Sequence, residues 1–125
     1  MKKTSLFSHQ IGKQKELQAC DYLLAQGLKL IMQNYRCKLG EIDLIMLEHE
    51  ILVFIEVRYR KQNAYGDGSE SINSIKQHKI ISAAQHYLLC NDFYNKYPCR
   101  FDAIITINQN HKPKFLWIKD AFWVK

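Results

Sequence analysis

The chain has 125 residues, 47% hydrophobic and 24% charged, with a formal net charge of +6. That is enough for one domain with a real core and too little for two. No apolar run approaches the length of a membrane span and no signal-peptide core follows the Lys-rich start, so the expectation is a protein with no membrane role. The positive balance favours an anionic partner, of which nucleic acid is the commonest. Four cysteines (Cys20, Cys37, Cys90, Cys99) include no Cys-x-x-Cys pair. They match neither a zinc ribbon nor a disulfide framework, and reduced cytoplasmic thiols are expected.

In chain order, residues 1–7 read as a loose basic tail and residues 8–125 as a single domain. A helical pattern runs from about Ser8, a suitable N-cap, to Gln26, with Gly27 as C-cap. On a helical wheel Glu16 falls at the centre of an apolar face formed by Ala19, Leu23, Cys20, Leu24 and Leu17. A buried carboxylate is costly without a partner, which is either a sheet cation or a shared site with other carboxylates. Leu28 to Asn34 alternates as a strand, and Tyr35 to Leu39 forms a basic connector carrying Arg36 and Lys38.

Gly40 to Arg60 is the centre of the chain. Two runs of branched apolar residues, with charges at alternate positions, flank a short polar pause and predict an antiparallel hairpin. A two-residue turn at His49-Glu50 pairs Leu47 with Leu52, Ile45 with Phe54, Asp43 with Glu56 and Glu41 with Arg58. Alternation puts Glu41, Asp43, Glu56 and Arg58 on one sheet face and Ile42, Leu44, Ile55 and Val57 on the other. Facing carboxylates repel unless a cation lies between them or one keeps its proton. The plainer reading is a solvated charged hairpin with Glu41 paired to Arg58.

Lys61 to Ser71 is a polar loop with two glycines, suited to closing over a ligand. A second helix follows over roughly Glu70 to Cys90, capped by Ser69 or Ser71, with Lys76 mid-arc among its apolar residues and Lys79 near the edge. Lys76 either snorkels to solvent or points at an anion. Cys99 to Asn108 alternates as a strand, Gln109 to Pro113 turns, Lys114 to Lys119 is a last strand, and Asp120 to Lys125 is an aromatic tail packed on the core. The order αβββαββ, with the hairpin central, predicts a mixed α/β fold with helices flanking a mixed sheet.

Glu16 on a helix, Asp43 on a strand and Glu56-Val57-Arg58 on the next strand make a specific constellation. With Gly40-Glu41-Ile42-Asp43-Leu44-Ile45, Val53 to Arg60, Lys76 to Lys79 and Arg100-Phe101-Asp102, the chain resembles the YraN family. That family belongs to the restriction-endonuclease-like superfamily and is similar in layout to Holliday-junction resolvases. The resemblance spans about Ile11 to Phe122. It implies a restriction-endonuclease-like core hydrolysing DNA phosphodiester bonds with Mg²⁺ (or Mn²⁺) and selecting branched DNA. Asp43 and Glu56 would be the metal ligands, with Glu16 acting directly or through water.

Superfamily members usually carry lysine where this chain has Arg58. Arginine stays protonated, so it clamps phosphate but cannot act as a base. Lys76 is expected near Arg58, taking over part of that role at a helix first turn that favours anions. Arg36, Lys38, Arg60, Lys61 and Lys79 would engage neighbouring phosphates. A resolvase-like role implies a homodimer, because a four-way junction has two symmetric cleavage points. Arg58 also motivates the alternative of a catalytically weak or inactive nucleic-acid-binding protein on the same fold; a protein-binding adaptor is the third reading.

Overall fold

A computed structural model describes residues 2–60, 72–93 and 96–123, with residues 2–11 as backbone only. Helix α1 (Lys2–Ala25) leads into strands β1 (Lys29–Cys37), β2 (Gly40–Glu48) and β3 (Ile51–Arg60). Helix α2 (Ser74–Cys90) then crosses to β4 (Cys99–Gln109) and β5 (Lys112–Phe122). The five strands form one sheet in the order β1-β2-β3-β4-β5, with β3 and β4 parallel and the other neighbours antiparallel. The parallel pair needs a crossover, and α2 supplies it. Strands β3 and β4 are near-continuous apolar runs because both of their faces are covered.

The two helices cover opposite faces. Ala19, Cys20 and Leu23 of α1 pack with Leu44, Met46, Val53, Ile55 and Ile104. Ile80, Ala83, Ala84 and Tyr87 of α2 pack with Ile42, Ile45, Phe54 and Phe101. Leu17 and Leu24, expected in the α1 stripe, are exposed. Phe122 stacks on Phe101, centroids 5.1 Å apart, so the end of β5 closes over the core as the sequence predicts. The hairpin register is as predicted near the turn, where Leu47 pairs with Leu52 and Ile45 with Phe54. Pairing ends at Leu44–Ile55, so the expected Asp43–Glu56 and Glu41–Arg58 pairs do not form, and Glu41 pairs with Arg36 instead. His49 turns the corner at φ 55°, the left-handed conformation usually left to Gly or Asn.

Several boundaries differ from the sequence reading, the last strand among them: β5 runs Lys112–Phe122 and takes in Pro113 of the expected turn and Asp120 to Phe122 of the expected tail. Helix α1 begins at Lys2, so the basic segment expected as a loose tail is helical backbone. The cap of α2 is Asn73, whose Oδ1 accepts the Lys76 N–H at 2.8 Å, rather than Ser69 or Ser71. The expected closing loop, 61–71, lies outside the described residues. Strand β1 runs on to Cys37, placing Arg36 in the sheet rather than in a connector.

The largest correction concerns alternation in β2. Ile42 packs on the α2 side and Leu44 on the α1 side, although residues two apart in a strand normally share a face. The change falls at Asp43. Across from it, between the pairs Gln33–Leu44 and Tyr35–Ile42, Asn34 adopts φ 54°. The two strands therefore kink together. The paired register of β2 and β3 runs from Glu48–Ile51 to Leu44–Ile55. Just beyond it the Asp43 carboxylate accepts the Val57 N–H at 2.8 Å. A side chain has replaced a backbone carbonyl, and the carboxyl sits in the opening between the strands.

Candidate active site

Glu56 stands on the central strand with its side chain buried, and its Oε1 lies 2.6 Å from Nζ of Lys76. Asp43 faces this pair from the strand opening. Burial, together with the Glu56 charge, pushes its carboxyl up to about 8; the Val57 N–H opposes the rise, and Glu16 adds to it. Glu16, on the second half of α1, is also pushed above the usual carboxylate range, first by burial and then by Glu56 and Glu41. Its Oε1 is buried without a hydrogen-bond partner. Thus Glu16 and Asp43 both lie in the field of Glu56, although the three come from a helix and two strands.

The hairpin's electrostatic problem has two remedies, a cation or a retained proton. Both operate here: the Lys76 ammonium meets Glu56, and Asp43 holds a proton to near-neutral pH. Among the described residues no group of three or more His, Cys, Asp or Glu side chains is gathered tightly enough to enclose a metal ion. Mg²⁺ does not require such a cage, since one or two carboxylates with waters and phosphate oxygens suffice. The donors that could hold it are Asp43 and Glu56, with the partnerless Glu16 oxygen reaching it directly or through water. An all-oxygen donor set fits a hard divalent ion.

The cations expected around the site divide into groups. Arg36 pairs with Glu41 across β1 and β2 at 3.1 Å, both exposed. Arg36, Lys38, Lys76 and Lys79 line one cavity, of about 610 Å³, between the β1–β2 turn and the start of α2. Glu16 and Asp43 line a second, of about 650 Å³, which shares Arg36 and Glu41 with the first. Arg58 follows Glu56 by two positions, half-buried, and Arg60 ends β3. Lys61 lies outside the described residues. Lys76, expected beside Arg58, makes its contact with the Glu56 carboxylate.

Sequence reasoning missed Asn34, although an Asn inside a strand run is a signal for left-handed backbone. It also missed a network that runs from Glu48 at the hairpin turn to Asp102, which lies opposite Ile55 beside Glu56. The fully buried Asp102 carboxylate accepts Arg100 Nε and Nη2 at 2.8 and 2.9 Å, Trp117 Nε1 at 2.9 Å and the Asp120 N–H at 2.9 Å. Arg100 also bridges to Glu48 at 2.8 Å, which Lys119 joins at 3.2 Å. Burial pushes Glu48 up, but the hydrogen bonds from Arg100 and Lys119 win and hold its carboxyl below the usual range. This network ties β2, β4 and β5 together.

The four cysteines are free thiols. Among the described residues no helix is long and apolar enough to cross a membrane. The model of UPF0102, an uncharacterised protein family, matches residues 15–106, which carry Glu16, Asp43, Glu56, Arg58 and Lys76. A UPF0102 protein of Nitrosococcus oceani is 48% identical over 114 residues, covering 91% of this chain and 92% of its own. One from Psychromonas ingrahamii is 50% identical over 115 residues, covering 92% and 91%. One from Legionella pneumophila is 48% identical over 111 residues, covering 89% and 92%. The chain belongs to the UPF0102 family, the YraN family that its motifs resemble.

Proposed function

We propose that this protein is a divalent-cation-dependent nuclease that hydrolyses phosphodiester bonds in DNA, favouring branched or single-stranded forms, in the cytoplasm. The observation that carries the reading is Asp43: a carboxyl pushed to about 8 by burial and by Glu56, beside a buried Glu16 oxygen without a partner. A cluster so unfavourable to its own charges is the sort of arrangement found at functional sites.

Asp43 and Glu56 would hold the ion, which when bound lowers the pKa of a water and offsets charge building on the phosphate. The protein's own groups do the rest. The Val57 N–H fixes the Asp43 carboxyl and keeps it aimed into the strand opening. Glu16, with its raised proton affinity, accepts a hydrogen bond from the attacking water. Arg58 clamps the scissile phosphate without taking a proton. Lys76, half in solvent on a flexible stem, exchanges Glu56 for a phosphate oxygen. Arg36, Lys38 and Lys79 take flanking phosphates and set the strand's path.

One contact favours a second reading. Lys76 against Glu56 already neutralises that carboxylate, as a binding protein without catalysis would need. Calorimetric titration with Mg²⁺ and Mn²⁺ separates the two, using the parent and Asp43→Asn, alongside cleavage of branched, single-stranded and duplex DNA. A nuclease binds the ion through Asp43 and cuts at least one DNA form. A parent that retains DNA but takes up neither ion and cuts nothing is the binding protein.

A further inference from the structure

The cavity between the β1–β2 turn and α2 has a chemistry that phosphate clamping alone does not use. Arg36, Lys38, Lys76 and Lys79 surround it, and Leu39 and Ile75 present apolar surface to the same space. Ile75 is 70% exposed and Leu39 53%, so neither serves the core. Among the described residues Glu41 is the one carboxylate in the lining, and Arg36 already pairs with it. The walls are held at fixed spacing: a Cβ on Gly40 would lie 2.6 Å from the Lys79 carbonyl oxygen, so the turn is pressed on the helix backbone. Lys76 connects the cavity to Glu56, and Arg36 connects it to the space holding Glu16 and Asp43.

We infer that this cavity is a seat for one unpaired nucleotide of a nucleic-acid strand, next to the carboxylates. Its phosphate lies among Lys38, Lys76 and Lys79, and its base lies on Leu39 and Ile75. The volume, about 610 Å³, is that of a small-ligand pocket. A single nucleotide enters it, whereas the ridges of a duplex lie across its mouth. Aliphatic rather than aromatic base contact predicts little preference among bases. The inference rests on the nuclease reading for its biological setting, and it assigns that site a strand that is unpaired beside the cut.

Binding without cleavage tests it. Fluorescein-labelled oligo-dT and an oligo-dT/oligo-dA duplex of equal length are titrated in EDTA with the parent, Ile75→Asp and Lys79→Ala. Melting curves confirm that both variants, altered at exposed positions, are folded. Ile75→Asp is expected to weaken single-strand binding about tenfold while changing duplex binding much less. Lys79→Ala should lower the single-strand salt slope by about 0.7. Thymidine 5′-monophosphate, as competitor, distinguishes a seat for a free nucleotide from one within a strand, and is expected to compete only weakly. Equal losses for both DNA forms, or unchanged single-strand binding, overturn the inference; so does tight monophosphate binding that oligo-dT cannot match. Cleavage in Mg²⁺ is scored separately. A parent that cuts nothing but shows the selective loss keeps the seat and loses the nuclease.

Discussion

Lys76 Nζ lies 2.6 Å from Glu56 Oε1, and the two side chains differ sharply in environment: 52% exposed for the lysine, 7% for the glutamate. The lysine can leave and the carboxylate cannot. In this state an ammonium from α2 stands where a divalent ion would share Glu56 with Asp43. An ion on Glu56 would meet the repulsion of the ammonium on Oε1, so Lys76 is expected to oppose ion binding.

Lys76→Ala is therefore expected to bind Mg²⁺ more tightly than the parent in the absence of nucleic acid, while its cleavage falls strongly. Without divalent ion the variant loses stability by about 1–3 kcal/mol, the penalty of a buried acceptor left unmatched. Calorimetry and melting in EDTA measure both effects. Weaker Mg²⁺ binding would mean that Lys76 helps to build the site rather than blocking it. Arg58→Lys, which supplies the lysine that the resemblance leads one to expect there, should preserve or raise cleavage of the same branched DNA.

Asp43 gives a pH dependence of definite sign. Its folded-state pKa is raised from 3.8 to about 8, so the folded protein keeps a proton that the unfolded chain has released. The stabilisation is complete below the unfolded value and is lost as pH rises through about 8. Within that window stability falls by up to about 1.4 kcal/mol per pH unit from this group. Melting temperatures in EDTA should decline across it for the parent and stay flatter for Asp43→Asn, whose amide oxygen can still accept the Val57 N–H. Mg²⁺ should restore the parent at high pH and leave the variant unmoved. A parent that is flat in EDTA refutes the strained-carboxyl account.

Much of this was legible because the information is local. Counting outward from His49-Glu50 yields the hairpin register, since each residue opposes one partner across a short turn. The order αβββαββ follows from periodicity alone. What failed was the assumption that alternation continues unbroken. Asn34 in the left-handed region kinks β1 and β2 together, so Ile42 and Leu44 part to opposite faces, and no pattern of apolar residues encodes that turn. The Asp102 network was hidden for another reason: its donors come from three separate stretches, Arg100, Trp117 and Asp120. Convergence over such separations is a property of the sheet, and it appears only once β4 and β5 are paired.

That network predicts a stability effect with no effect on the site. Arg100→Ala leaves the fully buried Asp102 carboxylate with the Trp117 and Asp120 donors only, and Glu48 loses its nearest cation. The expected loss is about 3 kcal/mol or more. Arg100→Lys should recover little, because the bond to Asp102 is a two-pronged fork that an ammonium cannot reproduce. Arg100 pairs with Val53, three residues or roughly 10 Å of strand before Glu56, so Mg²⁺ affinity at a temperature where the variant is folded should not change. A drop in affinity would show that the network and the site are coupled.

Gly40→Ala tests how closely the site depends on the contact between the β1–β2 turn and α2. The added Cβ would meet the Lys79 carbonyl oxygen at 2.6 Å and Lys79 Cβ at 3.1 Å, and a helix carbonyl cannot swing aside as a side-chain tip does. Either the turn lifts or the helix shifts, at an expected cost of about 1–3 kcal/mol. Because α2 carries Lys76, a shift there also moves the ammonium relative to Glu56, and a lifted turn moves Arg36 and Lys38. The substitution should therefore reduce DNA affinity and change Mg²⁺ affinity together. Lys38→Ala, an exposed change in the same turn, should reduce DNA affinity while leaving Mg²⁺ affinity and melting temperature where they were. If Gly40→Ala matches the parent in melting, DNA binding and Mg²⁺ binding, the turn and helix are free to separate and the cavity between them is not a fixed wall.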